Sequence, residues 1–190
     1  MKQKKVLVPI AITIIIYFIL LFCIIKVGLK ESYKDFHVAK IDDYLIEEYF
    51  STEELDFARV EDVIIVPYIH LANDVEYTPT NDGEYAIDIY AYSQTGKEQV
   101  TVKNVIARDG ENVFYKQETE HEATFREMQN GLFGARARGE VINETYVDLS
   151  HGKQLFVTVQ VQVEKDGQVT SKEINYEITI TQYWSLVAPT

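Results

Sequence analysis

The C-terminal third of the chain alternates between apolar and polar residues. Over residues 157–164 valine alternates with threonine, glutamine and glutamate, and over residues 174–181 isoleucine and tyrosine alternate with asparagine, glutamate and threonine. Successive side chains of a β-strand point to opposite faces, so this period of two predicts two strands, each with a core face and a solvated face. Asp166-Gly167 lies between them and suits the positive φ of a tight hairpin turn.

Further strand patterns lie upstream. The segment "VTVKNVIARDGENVFYKQ" has Asp109-Gly110 at its turn, "EYAIDIYAYS" alternates, and "DVIIVPYIHLA" is apolar on both faces, which predicts a strand that is covered twice. Pro67 within the last segment cannot donate a ladder hydrogen bond and indicates an edge or a bulge. Together with "EVINETYVDLS" these segments predict a mainly β fold, an antiparallel two-sheet β-sandwich of immunoglobulin-like type over residues 61–190.

Two segments have helical spacing instead. In residues 39–58 the apolar positions recur at helical intervals, and Ser51-Thr52-Glu53-Glu54 resembles a capping box, so we expect a short helical stalk over residues 29–60. In residues 118–140, Phe125, Met128 and Leu132 are helically spaced and three glycines follow or intervene. This pattern predicts a short helix and a mobile loop inserted between the strands.

The N-terminal segment is strongly apolar. Residues 6–25 carry no charge, and fifteen of these twenty are Val, Leu, Ile or Phe, a length that matches the hydrocarbon core of a bilayer. Lys26 occupies a position where signal-peptide cleavage needs a small residue, and Phe22 before Cys23 does not suit a lipoprotein leader. Residues 6–28 are therefore predicted to be a permanent, single-pass transmembrane signal anchor.

The flanks of this anchor predict its orientation in the cell membrane. A short basic tail, residues 1–5, precedes it, so we expect a cytoplasmic N-terminus and an extracytoplasmic C-terminal domain. Thr13 and Tyr17 lie one helical turn apart and are candidates for hydrogen bonds to a neighbouring membrane helix. The alternative is that they hydrogen-bond back to their own helix.

Charge and cysteine usage limit the partners and the compartment. Residues 31–190 hold 30 acidic and 13 basic side chains, a net charge of −17. Such a domain repels nucleic acid and anionic lipid surfaces. The one cysteine lies in the apolar segment, so the domain has no disulfide. An extracytoplasmic domain without disulfides fits a bacterial envelope better than an animal cell surface; alternatively, the missing cysteines fit a domain on the cytosolic face.

The sequence carries no recognisable catalytic or metal-binding motif. "HEATF" resembles the zinc-protease pattern, but Phe125 stands where the second histidine is required. The Asp-Gly turns lack the acidic spacing of a calcium loop. No nucleophile, base or phosphate loop is evident. We therefore expect a non-enzymatic protein without a metal or cofactor.

Two features favour binding. Arg136 and Arg138 share a face if the chain is extended there and could hold a carboxylate through paired N–H donors; alternatively they pair with local acids. Tyr90 and Tyr92 point away from the expected core, and exposed tyrosines are common at interfaces; alternatively the segment 118–140 covers them.

These observations support a protein-binding module anchored in the membrane, acting as an accessory or assembly subunit of a bacterial envelope complex. A ligand-binding or sensing module for a sugar or cell-wall fragment is the alternative, and it requires a concave pocket. A third possibility is a hydrolase whose residues converge only in the fold.

Overall fold

The computed structural model describes residues 13–21, 29–41, 46–71, 85–139, 141–142 and 149–186. Of these, residues 13–21, 29–33 and 182–186 belong to a smaller compact unit, and the others belong to a larger one. Most of the described chain is strand, in two sheets.

Within the described ranges each sheet has six strands. Sheet A has the order β1 (Leu29–Val38), β12 (Gln168–Leu186), β11 (Gln154–Lys165), β5 (Gln99–Asp109) and β6 (Asn112–Gln117), with β7 (His121–Ala123) also beside β5. Sheet B has the order β2 (Arg59–Val60), β3 (Val63–Leu71), β4 (Tyr85–Ser93), β9 (Phe133–Ala137) and β8 (Arg126–Glu127), with β10 (Val141–Ile142) also beside β4. Neighbours pair antiparallel, as the register of β11 on β12 and of β3 on β4 illustrates. The prediction of a mainly β, antiparallel, sandwich-like fold is confirmed.

The alternating hairpin of β11 and β12 follows its sequence pattern. Val157 lies opposite Tyr176 and Val159 opposite Ile174, and all four side chains are buried. The polar partners face outward, where Thr158 donates a hydrogen bond to Asn175. At the turn, Asp166 and Gly167 have φ values of +52° and +78°, as a tight hairpin requires. One face of the hairpin is therefore core and the other is solvated.

The inner faces of the two sheets share one core. Buried side chains from β3, β4 and β9 of sheet B and from β5, β11 and β12 of sheet A form a single hydrophobic cluster. The hydroxyl of Tyr176 on β12 donates a hydrogen bond across this core to the Ile65 carbonyl on β3, at 2.5 Å. Burial of apolar surface between two sheets is the main stabilising contribution of such a fold.

Strand β3 is buried on both faces over its first half only, whereas its apolar sequence predicted double burial throughout: Tyr68 is 41% exposed. Every residue from Val63 to Pro67 is buried. Pro67 lies opposite Ile89 of β4, and β2 is too short to reach it on the other side. Within the described residues Pro67 therefore lies on an open stretch of edge, where its missing N–H costs no ladder hydrogen bond.

The helical stalk predicted for residues 29–60 is wrong over much of its length. Residues 29–38 form strand β1, and the helical parts are only Ile46–Tyr49 and the 3₁₀ turn Asp56–Ala58. Leu55 is fully buried in the core. Ile46 and Tyr49 are buried in the same core, whereas Ile41 and Phe50 of the predicted apolar face are only partly buried against it. An edge position beside β12 makes residues 29–38 a strand, which is a tertiary effect that local pattern does not contain.

The predicted helix and mobile loop in residues 118–140 are also wrong. The segment contains β7 in sheet A and the hairpin of β8 and β9 in sheet B, so it carries the chain from one sheet to the other. Leu132 is buried whereas Met128 is 40% exposed, so the helically spaced residues do not share a face. Strand β9 buries only the small side chains of Ala135 and Ala137, which produce a weak hydrophobic signal in the sequence.

The N-terminal segment is described over residues 13–21, which are helical. Its apolar side chains are exposed, Phe18 by 62%. No helix within the described residues is both long and apolar enough to cross a membrane. Most of the predicted anchor, residues 6–28, lies outside the described residues. Thr13 and Tyr17 lie on this helix and are exposed, and their role in helix contacts stays a prediction.

Candidate functional site

The outer face of sheet B carries the candidate site. Ile89 and Ala91 of β4 point into the core, so Tyr90 and Tyr92 between and beyond them point outward. On the neighbouring strand, Arg136 pairs in register with Tyr90, and Gly134 pairs with Tyr92. The antiparallel register of β4 and β9 thus brings an arginine from 46 positions along the chain beside the tyrosine pair.

Aromatic rings form a continuous band on this face. The rings of Tyr90 and Tyr92 are stacked, with centroids 6.3 Å apart and planes 16° apart. Tyr68 on β3 meets Tyr90 edge-on at 5.9 Å and stacks on His70 at 5.7 Å. Such pairs prefer offset-stacked and edge-to-face geometries and hold each other in place. The band is therefore a preformed aromatic surface.

A buried carboxylate fixes the arginine of this face. Asp88 is 1% exposed, and its Oδ2 accepts hydrogen bonds from Arg136 Nε at 2.5 Å and lies 2.7 Å from His70 Nε2. Its Oδ1 accepts the backbone N–H of Gly139 at 2.9 Å. The Arg136 guanidinium is also placed 6.0 Å from the centre of the Tyr90 ring, within range of a cation–π contact. The buried Asp88 carboxylate thus neutralises the charge of Arg136 and orients its side chain.

Gly139 closes the Asp88 cluster because its backbone approaches β4 closely. A Cβ atom at this position would lie 1.6 Å from the Ile87 carbonyl oxygen and 3.1 Å from the Tyr115 hydroxyl. Only glycine can bring its N–H to Asp88 without a steric clash.

The loop between β4 and β5 supports the first residue of β9, Phe133, at the end of the strand opposite to Gly139. Ser93 Oγ donates to Glu98 at 2.6 Å and accepts the N–H groups of Thr95 and Gly96, and Thr95 Oγ1 donates to Glu98 at 2.8 Å. Burial raises the pKa of Glu98, but these hydrogen bonds and the attraction of Lys165 lower it more, so the pKa lies below its usual value. The Phe133 ring lies against Gly96, where a Cβ atom would be 2.4 Å from it.

A groove of about 550 Å³ opens on this face. Its floor and walls include Tyr90, Tyr92, Arg136 and Arg138, together with Met128 and Arg126. Met128 reaches over β9 because Gly134 has no side chain: a Cβ atom there would lie 2.8 Å from the Met128 sulfur. The volume is within the range of clefts that hold ligands, about 300–1,000 Å³.

The groove carries unpaired charges of both signs. Glu122 and Glu127 line it beside Arg126 and Arg138, and all four side chains are exposed. Within the described residues none of the four makes an ion pair, in contrast to Arg136, which is paired with Asp88. The groove thus presents two cationic and two anionic groups to an incoming molecule.

All four residues that the sequence suggested for partner binding, in two separate pairs, line this one groove. The alternatives for each pair are partly realised. Arg136 pairs with a local acid, whereas Arg138 makes no ion pair with any described residue. Residues of the segment 118–140 line the groove beside the two half-buried tyrosines. Sequence reasoning missed Asp88, Arg126 and Met128. A charged residue between the apolar neighbours of β4 was a signal for Asp88; Arg126 and Met128 had none, because a helix was expected there.

The described residues contain no group of three or more His, Cys, Asp or Glu side chains that could hold a metal ion. Comparison with known proteins adds no assignment: no family model matches this chain, and no curated protein matches it significantly.

Proposed function

We propose that this protein is a membrane-anchored module that binds another protein through the groove between Tyr90, Met128 and Arg138. It acts as an accessory or assembly subunit of a bacterial envelope complex. The observation that carries this proposal is the combination in one groove of a preformed tyrosine pair with charges that make no ion pair with any other described residue. Tyrosine, arginine and methionine are enriched at protein interfaces, since they bury a large area in well-defined geometry.

The domain is proposed to be an immunoglobulin-like sandwich. Its strand orders β3-β4-β9-β8 and β12-β11-β5-β6 support this, because an immunoglobulin domain has the order A-B-E-D in one sheet and G-F-C in the other. In that correspondence the groove lies on the outer face of the A-B-E-D sheet. Domains of this architecture serve many unrelated functions, so the fold alone carries no function.

The anchor is proposed to comprise residues 6–28, with residues 1–5 in the cytoplasm and the domain outside the cell membrane. The described part of this segment, residues 13–21, is helical and exposes its apolar side chains. A helix with such a surface is stable where that surface is surrounded by lipid or protein and costly in water. Thr13 and Tyr17 remain candidates for contact with a neighbouring membrane helix.

A sugar or cell-wall fragment is a second candidate ligand. The stacked rings of Tyr90 and Tyr92 and the concave shape of the groove favour it, since clefts for small ligands combine aromatic walls with a few polar groups. The mixed signs of the unpaired charges favour a protein segment over an anionic wall polymer, because a uniformly charged chain would meet like charge at Glu122 and Glu127.

The test is partner capture from the native membrane in mild detergent, with the full-length, tagged protein and identification by mass spectrometry. The double variant Tyr90→Ser/Tyr92→Ser removes the aromatic floor. Phe156→Ser is the matched control, since Phe156 is 44% exposed on β11 in the other sheet.

We expect the unchanged chain and Phe156→Ser each to capture one stoichiometric membrane or envelope protein. The double variant should capture at least tenfold less of that protein. Equal recovery by both variants would exclude the groove as the contact surface. Absence of any stoichiometric protein in all three samples would overturn the protein-binding function and favour the small-ligand alternative.

A further inference from the structure

The geometry of the groove points to one kind of occupant: an extended protein segment of mixed charge, with an apolar or aromatic side chain between an acidic and a basic residue. We infer that the acidic residue pairs with Arg126 or Arg138 and the basic residue with Glu122 or Glu127, while the central side chain lies on the tyrosine pair. This inference rests on the proposed function and specifies the chemistry of the partner.

The size of the groove supports a segment over a folded surface. A volume of about 550 Å³ suits a few side chains, as in clefts that hold small ligands. Recognition of a short segment through one buried anchor and a few polar contacts is a common mode of protein binding.

The floor of the groove is rigid and apolar, so it suits a central anchor. Tyr90 is held by Tyr92 on one side and by Tyr68 on another, and the buried Asp88 fixes Arg136 above it. Met128 forms an adaptable wall, 40% exposed, and its thioether makes favourable contacts with aromatic rings. A rigid floor lowers the entropy lost on binding.

The charges argue for a segment that carries both signs. Arg136 is already paired with Asp88. The groups that can pair with a bound segment are therefore the two arginines Arg126 and Arg138 and the two glutamates Glu122 and Glu127. Complementary charges around an apolar anchor fix the direction and register of a bound segment more than they add affinity. A uniformly acidic segment, or an anionic glycan, would satisfy the arginines and be repelled by the glutamates.

The experiment selects peptides on the full-length protein in lipid nanodiscs, with a phage library of random octapeptides as the probe. The consensus peptide is then titrated by fluorescence polarisation. Arg138→Glu reverses one charge of the groove. Arg108→Glu is the matched control, because Arg108 is an exposed arginine of β5 on the opposite sheet.

We expect the unchanged chain to enrich peptides with an aromatic or large apolar residue between an acidic and a basic one. Arg138→Glu weakens the consensus peptide at least tenfold, and replacing the acidic residue of the peptide by lysine restores affinity to within threefold. Arg108→Glu leaves the affinity unchanged. This reciprocal rescue is the supporting result, since general damage to the fold would not produce it.

Three results would overturn the inference. Enrichment of uniformly acidic peptides, or tighter binding of polygalacturonate than of any selected peptide, would identify an anionic ligand. Dimers of the full chain that dissociate on Arg138→Glu would identify a second copy as the occupant. Failure to enrich any peptide, while the membrane partner is still captured through Tyr90 and Tyr92, would reject the linear segment and leave the protein-binding function intact.

Discussion

The hydrogen bond between the two sheets allows a quantitative prediction for Tyr176→Phe. The Tyr176 side chain is 2% exposed, and its hydroxyl donates to the Ile65 carbonyl. Phenylalanine keeps the ring and its edge contact with Phe57 at 6.0 Å, so the substitution removes little more than the hydroxyl. Loss of a buried hydrogen-bond partner costs about 1–3 kcal/mol. We therefore expect the free energy of unfolding at pH 7 to fall by about 2 kcal/mol.

The sign of this difference reverses at high pH. Burial raises the pKa of Tyr176 above its ordinary value of 10.0, so the folded protein retains the proton at pH values where the unfolded chain has lost it. The contribution of Tyr176 to the free energy of unfolding is complete below about pH 10. Above about pH 10 it falls by about 1.4 kcal/mol per pH unit until the pKa of the folded state is reached. The unchanged chain is more stable than Tyr176→Phe by about 2 kcal/mol at pH 7, and this difference is lost about 1.5 pH units above pH 10. Above about pH 11.5 the Tyr176→Phe protein should be the more stable one.

Urea unfolding of the full-length protein in detergent micelles, followed by far-UV circular dichroism from pH 7 to 12, measures both effects. With a urea dependence of about 2 kcal/mol per molar, the expected midpoint shift at pH 7 is about 1 M. Tyr68→Phe is the control, because it removes the hydroxyl of a tyrosine that is 41% exposed and lies outside the core. Stability curves of Tyr176→Phe and the unchanged chain that stay parallel up to pH 12 would refute the assigned burial of the Tyr176 hydroxyl.

Three further substitutions test the supports of the groove. Gly139→Ala places a methyl group 1.6 Å from the Ile87 carbonyl oxygen, so we expect a loss of about 3 kcal/mol or more in urea unfolding. Gly134→Ala meets only the flexible Met128 side chain and should cost less than about 1 kcal/mol; equal effects would contradict the close approach at Gly139. Glu98→Gln removes a charged acceptor and should cost about 1 kcal/mol at pH 7. Because the pKa of Glu98 is lowered from 4.5, this cost should persist down to about pH 4.5 and shrink as the pH falls further; a cost that stays constant to pH 3 would contradict the lowered pKa.

The strands with strong alternation were predictable because their information is local. Over residues 155–163 of β11 and 174–180 of β12 every second residue is apolar, and the Asp166-Gly167 turn needs no distant partner to adopt positive φ. The double burial of residues 63–67 in β3 was likewise evident from their continuous apolar run. These features follow from side-chain alternation and turn geometry, which depend on neighbouring residues only.

The segments 29–38 and 118–140 were not predictable on the same basis. The polar strand β1 depends on the edge of β12. Strand β9, whose buried side chains are two alanines, depends on pairing with β4. A strand completes its hydrogen bonds only with a neighbour, so a segment with a weak pattern takes its conformation from the strand beside it. Helical spacing of a few apolar residues did not outweigh that pairing.

The sequence by itself determined that Tyr90 and Tyr92 face away from the core, since this follows from alternation along β4. Only the tertiary structure decided what stands beside them. The register of β4 on β9 places Arg136 next to Tyr90, Asp88 then neutralises that arginine, and Arg126 and Arg138 keep no partner among the described residues. The direction in which a side chain points is a property of one strand, whereas burial of the whole core decides which strands lie side by side. The groove is formed by side chains of neighbouring strands, so the sequence of one strand does not predict it.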